Sequence, residues 1–140
     1  MARYLLLKYY RGGPTPVGET LVGATPEEIS AHQEHMGRLN DDLRERGEFV
    51  DAQGLAPTGT FVRGGGPGGA PVTDGPFAET KDLIAGFWIV DVESEERAHE
   101  IAALGSSAPG RGGRPVNDWI EVRPIMSEAP ATFDELFEQL

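Results

Sequence analysis

Some segments of the chain have the apolar pattern of a strand and others that of a helix. Their order predicts strand, helix, β-hairpin, strand, helix, strand. Residues 3–10, RYLLLKYY, are almost continuously apolar, which is typical of a strand covered on both faces. One face would carry Leu5, Leu7 and Tyr9. The other would carry Tyr4, Leu6, Lys8 and Tyr10. Because Lys8 is on it, we expect this second face to meet something more polar than a helix. The remaining predicted strands are residues 48–52, 58–63, 71–73, 85–92 and 118–125.

The first predicted helix begins with a capping box. Thr25 is the N-cap and Glu28 stands three residues later, so the two side chains can bind the first free backbone N–H groups. The helix should run to about Arg46, where Gly47 supplies the left-handed residue that ends it. Its apolar stripe has one gap, which His32 fills.

Two further helices are predicted towards the C-terminal end. Ser94 can cap a helix over residues 95–104, which Gly105 would end. Residues 132–135, TFDE, form another capping box, followed by apolar residues at helical spacing. Because so short a helix is not stable alone in water, we expect it to dock on the domain or on a second subunit. Its apolar face comprises Phe133, Leu136, Phe137 and Leu140.

The element order is typical of the α+β class. It corresponds to the ferredoxin-like split βαβ arrangement, with two helices on one side of a mainly antiparallel sheet. A chain of 140 residues can bury one real core. We therefore expect one domain over residues 1–126 and a C-terminal extension with a short amphipathic helix over residues 127–140.

Charge and composition exclude several classes of partner. Acidic residues outnumber Lys and Arg by 23 to 12, and a net charge of −11 would repel nucleic acid and anionic membranes. No apolar run approaches the ~20 residues that span a bilayer, and the opening apolar segment is too short for a secretory signal. We therefore expect a cytoplasmic protein. The lack of cysteine excludes disulfides, thiolate metal sites and a cysteine nucleophile.

Three segments carry a resemblance to a known family. Residues 72–81 read VTDGPFAETK, residues 85–87 read AGF and residues 121–126 read EVRPIM. Together they resemble the YCII-related family, in the branch named after its DGPF motif. The resemblance implies a ferredoxin-like subunit that pairs with a second copy as a dimeric α/β barrel, with a pocket between sheet and helices. The loop over residues 105–118 and the tail after residue 126 depart from the family pattern.

Asp74, in the turn of the DGPF motif, is the first candidate for chemistry. The resemblance implies an acid–base pair of a helix histidine and a downstream aspartate, which here would be His32 or His35 with Asp74. A neutral imidazole can act as a base, and an imidazolium paired with a carboxylate as an acid. The residues themselves leave plainer roles open, since Asp74 can lock a Gly-Pro turn and a histidine on an apolar face is more often a core residue.

Ligand contacts are expected around the same turn and on two strands. No metal ion is expected, because Glu28, which shares a side of the helix with both histidines, is already used by the capping box. No cofactor is expected either. The residues expected to contact a small-molecule ligand are Lys8, Gly75, Pro76, Phe77 and Arg123.

The sequence leaves the function open between three hypotheses. In the first, the protein is an enzyme of the isomerase, lyase or dehalogenase kind that transfers protons in a dimer pocket; the resemblance adds that a few relatives degrade chlorinated aromatics. In the second, it is a non-catalytic regulatory or protein-interaction module. The resemblance suggests a sigma factor as partner, because the family occurs beside extracytoplasmic-function sigma factors. In the third, the DGPF turn serves only to build the homodimer.

Overall fold

A computed structural model of the chain describes residues 1–11, 21–62, 64 and 83–138. Four strands form one sheet of order β2-β3-β1-β4, and every neighbouring pair is antiparallel. This arrangement confirms the expected α+β, ferredoxin-like fold. No helix among the described residues is long and apolar enough to cross a bilayer. The elements are β1 (Ala2–Arg11), α1 (Pro26–Glu45), β2 (Phe49–Gly54), β3 (Leu83–Val92), α2 (Glu95–Ser106), β4 (Ile120–Pro124) and α3 (Phe133–Phe137), with a 3-10 turn at Arg111–Gly113.

The core lies between one face of the sheet and the helices α1 and α2. Lys8 follows Leu6 by two residues on β1, so both side chains lie on this face. The expectation that this face meets something more polar than a helix is therefore wrong. Helices cover it, and Lys8 lies where the apolar core gives way to a cavity beside α1. The buried core consists of Leu6, Leu39, Leu43, Trp88, Val90, Val92, Ala98, Ile101 and Ala102.

The capping box of α1 is confirmed. The Glu28 backbone N–H donates to Thr25 Oγ1 over 3.1 Å, and the Thr25 N–H donates to Glu28 Oε1 over 2.9 Å. Arg46 caps the other end, and Gly47 follows with φ at 71°, a conformation that favours glycine. These features were predictable because they depend only on residues close together in the sequence.

Helix α2 is longer than predicted, because Gly105 lies inside it instead of ending it. A Cβ atom at Gly105 would lie 3.2 Å from the Trp88 ring and 3.4 Å from Ile120. Glycine at this position therefore allows α2 to lie close against the sheet. The sequence predicts a helix end at Gly105 because it shows a glycine but does not show the contact with Trp88 that requires one.

The predicted hairpin is described only in part. Of the strand expected over residues 58–63, the described residues contain a single bridging residue, Phe61, within otherwise irregular chain. The expected strand over residues 71–73 lies outside the described residues.

The tail helix forms but does not pack on the described part of the domain. Thr132 caps α3 by accepting a hydrogen bond from the Glu135 N–H. Phe133 and Phe137 are 76% and 64% exposed, so the expectation of docking on the domain is wrong for the described residues. Local capping holds this short helix, whereas docking on a second subunit stays a prediction.

An ion pair closes the end of the sheet that lies opposite Lys8. Arg97, in the first turn of α2, donates to Glu48, the residue before β2, over 2.9 and 3.0 Å. Their side chains are only 14% and 11% exposed. The pair therefore links α2 to β2 at the end where Ala2 faces Val92.

Candidate functional site

A cavity of about 270 Å³ lies between α1 and the sheet. It occupies the end of β1 that carries Lys8, where the apolar core stops. Side chains from α1 form one wall, and the ends of β2 and β3 form the other. The residues that contribute most to its shape are Lys8, Met36, Asn40, Gln53, Gly86 and Trp88.

Gly86 sets the width of this cavity. It faces Lys8 across the β1–β3 pair, and a Cβ atom here would lie 2.7 Å from the backbone carbonyl oxygen of Gln53. No real Cβ atom tolerates such a contact without a backbone shift. Glycine therefore permits the close approach of β2 and keeps the floor of the cavity free of a side chain.

The apolar wall is held by one side-chain hydrogen bond. The Trp88 indole Nε1–H donates to Asn40 Oδ1 over 2.9 Å, and this bond ties β3 to α1. Because Oδ1 accepts it, the amide nitrogen of Asn40 keeps its donors for another group. The wall thus combines a fixed aromatic ring with an amide donor.

Lys8 is a cavity-lining residue with a cationic side chain. Its side chain is 19% exposed, and its closest carboxylate oxygen, Asp118 Oδ2, lies 4.0 Å from Nζ. That separation is too long for a hydrogen bond, and no other oxygen of the described residues bonds to Nζ. Burial lowers the pKa of Lys8, although the charge of Asp118 partly opposes the shift. The ammonium thus lies beside the cavity with donors that no described residue uses.

Asp118 is the functional candidate that sequence reasoning missed. Its carboxylate is 10% exposed, and burial raises its pKa, while the charges of Lys8 and His32 oppose the rise. The Ser106 hydroxyl donates to its backbone carbonyl, and the preceding Asn117 has φ at 55°. The sequence places Asp118 at the start of a predicted edge strand and does not indicate a functional role for it. Only the pairing of β4 with β1 brings Asp118 close to Lys8.

His32 is buried and takes part in this charge cluster. Its Nδ1 lies 2.9 Å from the carbonyl oxygen of Pro109, so this nitrogen carries the proton and Nε2 is the free acceptor of the neutral ring. Burial lowers the pKa of His32, and the nearby charges of Lys8 and His35 act in the same direction, while the hydrogen bond to Pro109 and the charge of Asp118 oppose the shift. His32 is therefore neutral near pH 7, as a base requires. His35 instead bonds through Nε2 to the carbonyl oxygen of Leu104 over 2.8 Å.

The other predicted site residues are not brought to this cavity by the described structure. Asp74, Gly75, Pro76 and Phe77 lie outside the described residues, so their approach to the histidines stays a prediction. Arg123 is exposed on β4 and is not part of the cavity lining.

Glu28 is committed to the backbone. Besides its bond from Thr25, its carboxylate accepts the N–H of Gly112 in the loop before β4. These backbone donors lower its pKa. Within the described ranges, no three His, Cys, Asp or Glu side chains come together in a way that could hold a metal ion.

Comparison with known proteins gives a family and a partial relative. The YCII-related domain matches residues 2–109. An uncharacterized protein of Rhizobium meliloti (strain 1021) is 38% identical over 60 residues, which are 42% of this chain and 44% of that protein. The chain thus matches less than half the length of that curated relative.

Proposed function

This chain belongs to the YCII-related family, and we propose that it binds a small molecule with an oxygen acceptor in the cavity beside α1. The observation that carries the proposal is the ammonium of Lys8. The Lys8 side chain lines the cavity and is 19% exposed, and its ion-pair partner among the described residues, Asp118, lies 4.0 Å from Nζ, which is too far for a hydrogen bond. An ammonium that is ion-paired but not hydrogen-bonded would gain a charge-assisted hydrogen bond from an oxygen of a bound ligand.

The rest of the cavity is suited to the body of such a ligand. Trp88 and Met36 supply apolar surface, and the free amide donors of Asn40 can orient a second polar atom. A few placed polar groups in a mainly apolar wall are typical of small-molecule sites. The volume of about 270 Å³ is enough to hold a small compound.

We further propose acid–base chemistry of the isomerase, lyase or dehalogenase type. Support comes from His32 and Asp118, whose pKa values burial shifts towards the neutral forms of a base and an acid. Neither side chain lines the cavity, but both interact with Lys8, which does, and shifts of this kind are typical of functional sites. Asp74 remains the proposed partner of His32 or His35.

A homodimer is proposed from the open face of the sheet. This face carries Leu5, Tyr9, Phe87 and Ile89, each half-buried, and Leu7, which is buried. None of them belongs to the core cluster under the helices. Pairing with the same face of a second copy would bury this apolar surface, as the family resemblance implies.

The binding proposal is tested with the two tryptophans as reporters. Trp88 lies in the cavity wall, whereas Trp119 is 57% exposed and outside the lining, so their indole N–H signals separate cavity binding from surface binding. A library of small carboxylates, aldehydes and ketones is titrated while both signals are recorded by NMR, and a Trp119→Phe variant assigns them. We expect binders to shift the Trp88 signal more strongly.

Matched variants define the role of Lys8 in that titration. Lys8→Met should abolish binding. The double variant Lys8→Met/Asp118→Asn should abolish it as well, and it avoids misfolding caused by leaving the Asp118 carboxylate without its ion-pair partner. Arg46→Gln removes a 58% exposed cation and should bind normally. Compounds that never shift Trp88, or that bind Lys8→Met as well as the parent, would contradict the proposal.

A second function, protein interaction, is favoured by α3. Phe133 and Phe137 are exposed on a helix that also carries Asp134 and Glu135. Apolar anchors at this spacing are typical of helices that enter a groove of another protein. A regulatory partner such as a sigma factor is proposed on this basis, and loss of a co-purifying partner from a Phe133→Ser/Phe137→Ser variant tests it.

A further inference from the structure

We infer that Lys8 binds its ligand covalently: its amine condenses with an aldehyde or ketone in the cavity to form an imine, and Asp118 moves the protons. The inference rests on the proposed small-molecule cavity and specifies the ligand class as carbonyl compounds. Lys8 provides the nucleophile, and it is the one titratable residue among the described ones that lines the cavity. Asp118 does not line the cavity, but its carboxylate lies 4.0 Å from Nζ.

The spacing between Lys8 and Asp118 fits the intermediate of this reaction. Nζ and Oδ2 are 4.0 Å apart, too far for a direct hydrogen bond. In the tetrahedral intermediate the hydroxyl oxygen sits on the carbon bonded to Nζ, roughly 2.4 Å from Nζ for single bonds of about 1.5 Å. An oxygen there can lie between the two groups and within hydrogen-bonding distance of the carboxylate.

The reaction balances with these two side chains and solvent. Asp118 takes a proton from the ammonium, and the free amine attacks the carbonyl carbon. The C–N bond forms, and the carbonyl oxygen receives a proton from the nitrogen. Asp118 then returns its proton to the hydroxyl, the C–O bond breaks, and the nitrogen lone pair forms the C=N bond. One ammonium and one carbonyl thus yield one protonated imine and one water.

The surroundings of Lys8 favour the neutral, nucleophilic amine over the ammonium. Among the described residues, the titratable groups that interact with it are Asp118 from the loop before β4 and His32 from α1, and His32 has His35 as its own neighbour. Burial outweighs the carboxylate and lowers the pKa of Lys8, so a larger fraction is free amine than in a lysine in water. Lysines activated in this way are the ones that form Schiff bases.

The test traps the imine by reduction. The full chain is incubated with glyoxylate and sodium cyanoborohydride, and peptide mass spectrometry gives a labelling rate for each amine. An Arg46→Lys variant supplies a reference lysine at a position whose side chain is 58% exposed. We expect Lys8 to be labelled at least roughly tenfold faster than this reference.

Two variants separate the roles of the side chains. Lys8→Arg keeps the cation and should give no adduct at position 8. Asp118→Asn should slow the labelling of Lys8 by roughly tenfold or more and leave the reference lysine unchanged, because it removes the proton carrier. Equal labelling of Lys8 and the reference would overturn the inference, and an unchanged rate in Asp118→Asn would overturn the role of Asp118.

The outcome also separates this inference from the proposed function. Compounds that shift the Trp88 signal while Lys8 stays as slow as the reference would leave a non-covalent site and refute the imine. If neither Trp88 shifts nor Lys8 reacts, both proposals fail.

Discussion

Replacing Glu48 by glutamine removes one charge from the buried pair with Arg97 while keeping the shape of the side chain. Arg97 then faces an amide in place of a carboxylate, and its remaining partner is Glu100 at 3.1 Å, which is 66% exposed. The carboxylate of Glu48 is what holds the pKa of Arg97 above its usual value. In the Glu48→Gln variant, the guanidinium of Arg97, whose side chain is 14% exposed, therefore has a much weaker partner at position 48.

The magnitude follows from the burial of the pair. Breaking a buried pair by removing one partner costs about 3–5 kcal/mol, and the bond to Glu100 places this case at the lower end. We expect a loss of about 3 kcal/mol. At about 2.1 cal/mol/K per residue, unfolding a chain of this length has an entropy of about 0.3 kcal/mol/K, so Tm should fall by about 10 °C.

Thermal and urea unfolding, followed by circular dichroism, measure this loss. Asp41→Asn is the matched control, because it breaks an ion pair with Arg44 whose side chains are 75% and 55% exposed. That pair should contribute at most about 0.5 kcal/mol. In 1 M NaCl the effect of Glu48→Gln should persist, since salt screens buried charges weakly. A Glu48→Gln variant no less stable than Asp41→Asn would refute the reasoning.

Two further predictions concern α1 and the tail. Burial lowers the pKa of His32 below its ordinary value of 6.5. As the pH falls below 6.5, the unfolded state therefore binds more protons than the folded state, and the stability present at higher pH is lost. His32→Gln should therefore flatten the decline in unfolding free energy between pH 7 and pH 5, and an unchanged slope would argue against a neutral buried ring. Deleting residues 127–140 should change Tm by less than about 2 °C in dilute protein, because α3 does not pack on the described sheet or helices. A larger loss that does not depend on protein concentration would contradict this.

Local features could be predicted from the sequence, whereas features that depend on distant contacts could not. The capping box at Thr25 and the helix end at Gly47 involve neighbours in the chain, and both are confirmed. Residue alternation groups Lys8 correctly with Leu6, but the expectation about what covers their face is wrong, because alternation does not show which face the helices cover. Gly105 was misplaced for a similar reason, since its contact with Trp88 brings together residues from different elements.

The site itself shows the same division. His32 could be selected because it interrupts an apolar stripe, a pattern visible in the sequence. Asp118 could not, because it meets Lys8 only through the pairing of β4 with β1. Whether Asp74 joins them stays a prediction.

Helix α1 serves both as a cavity wall and as the anchor of the loop that leads to Asp118. Met36 and Asn40 line the cavity from this helix, while Glu28 and His32 bind the backbone of that loop at Gly112 and Pro109. A ligand that displaces α1 would therefore also displace the counterion of Lys8. By thermodynamic reciprocity, the proton affinity of the amine and the ligand affinity of the cavity would then change together. The pH dependence of ligand affinity would thus report on the movement of a helix.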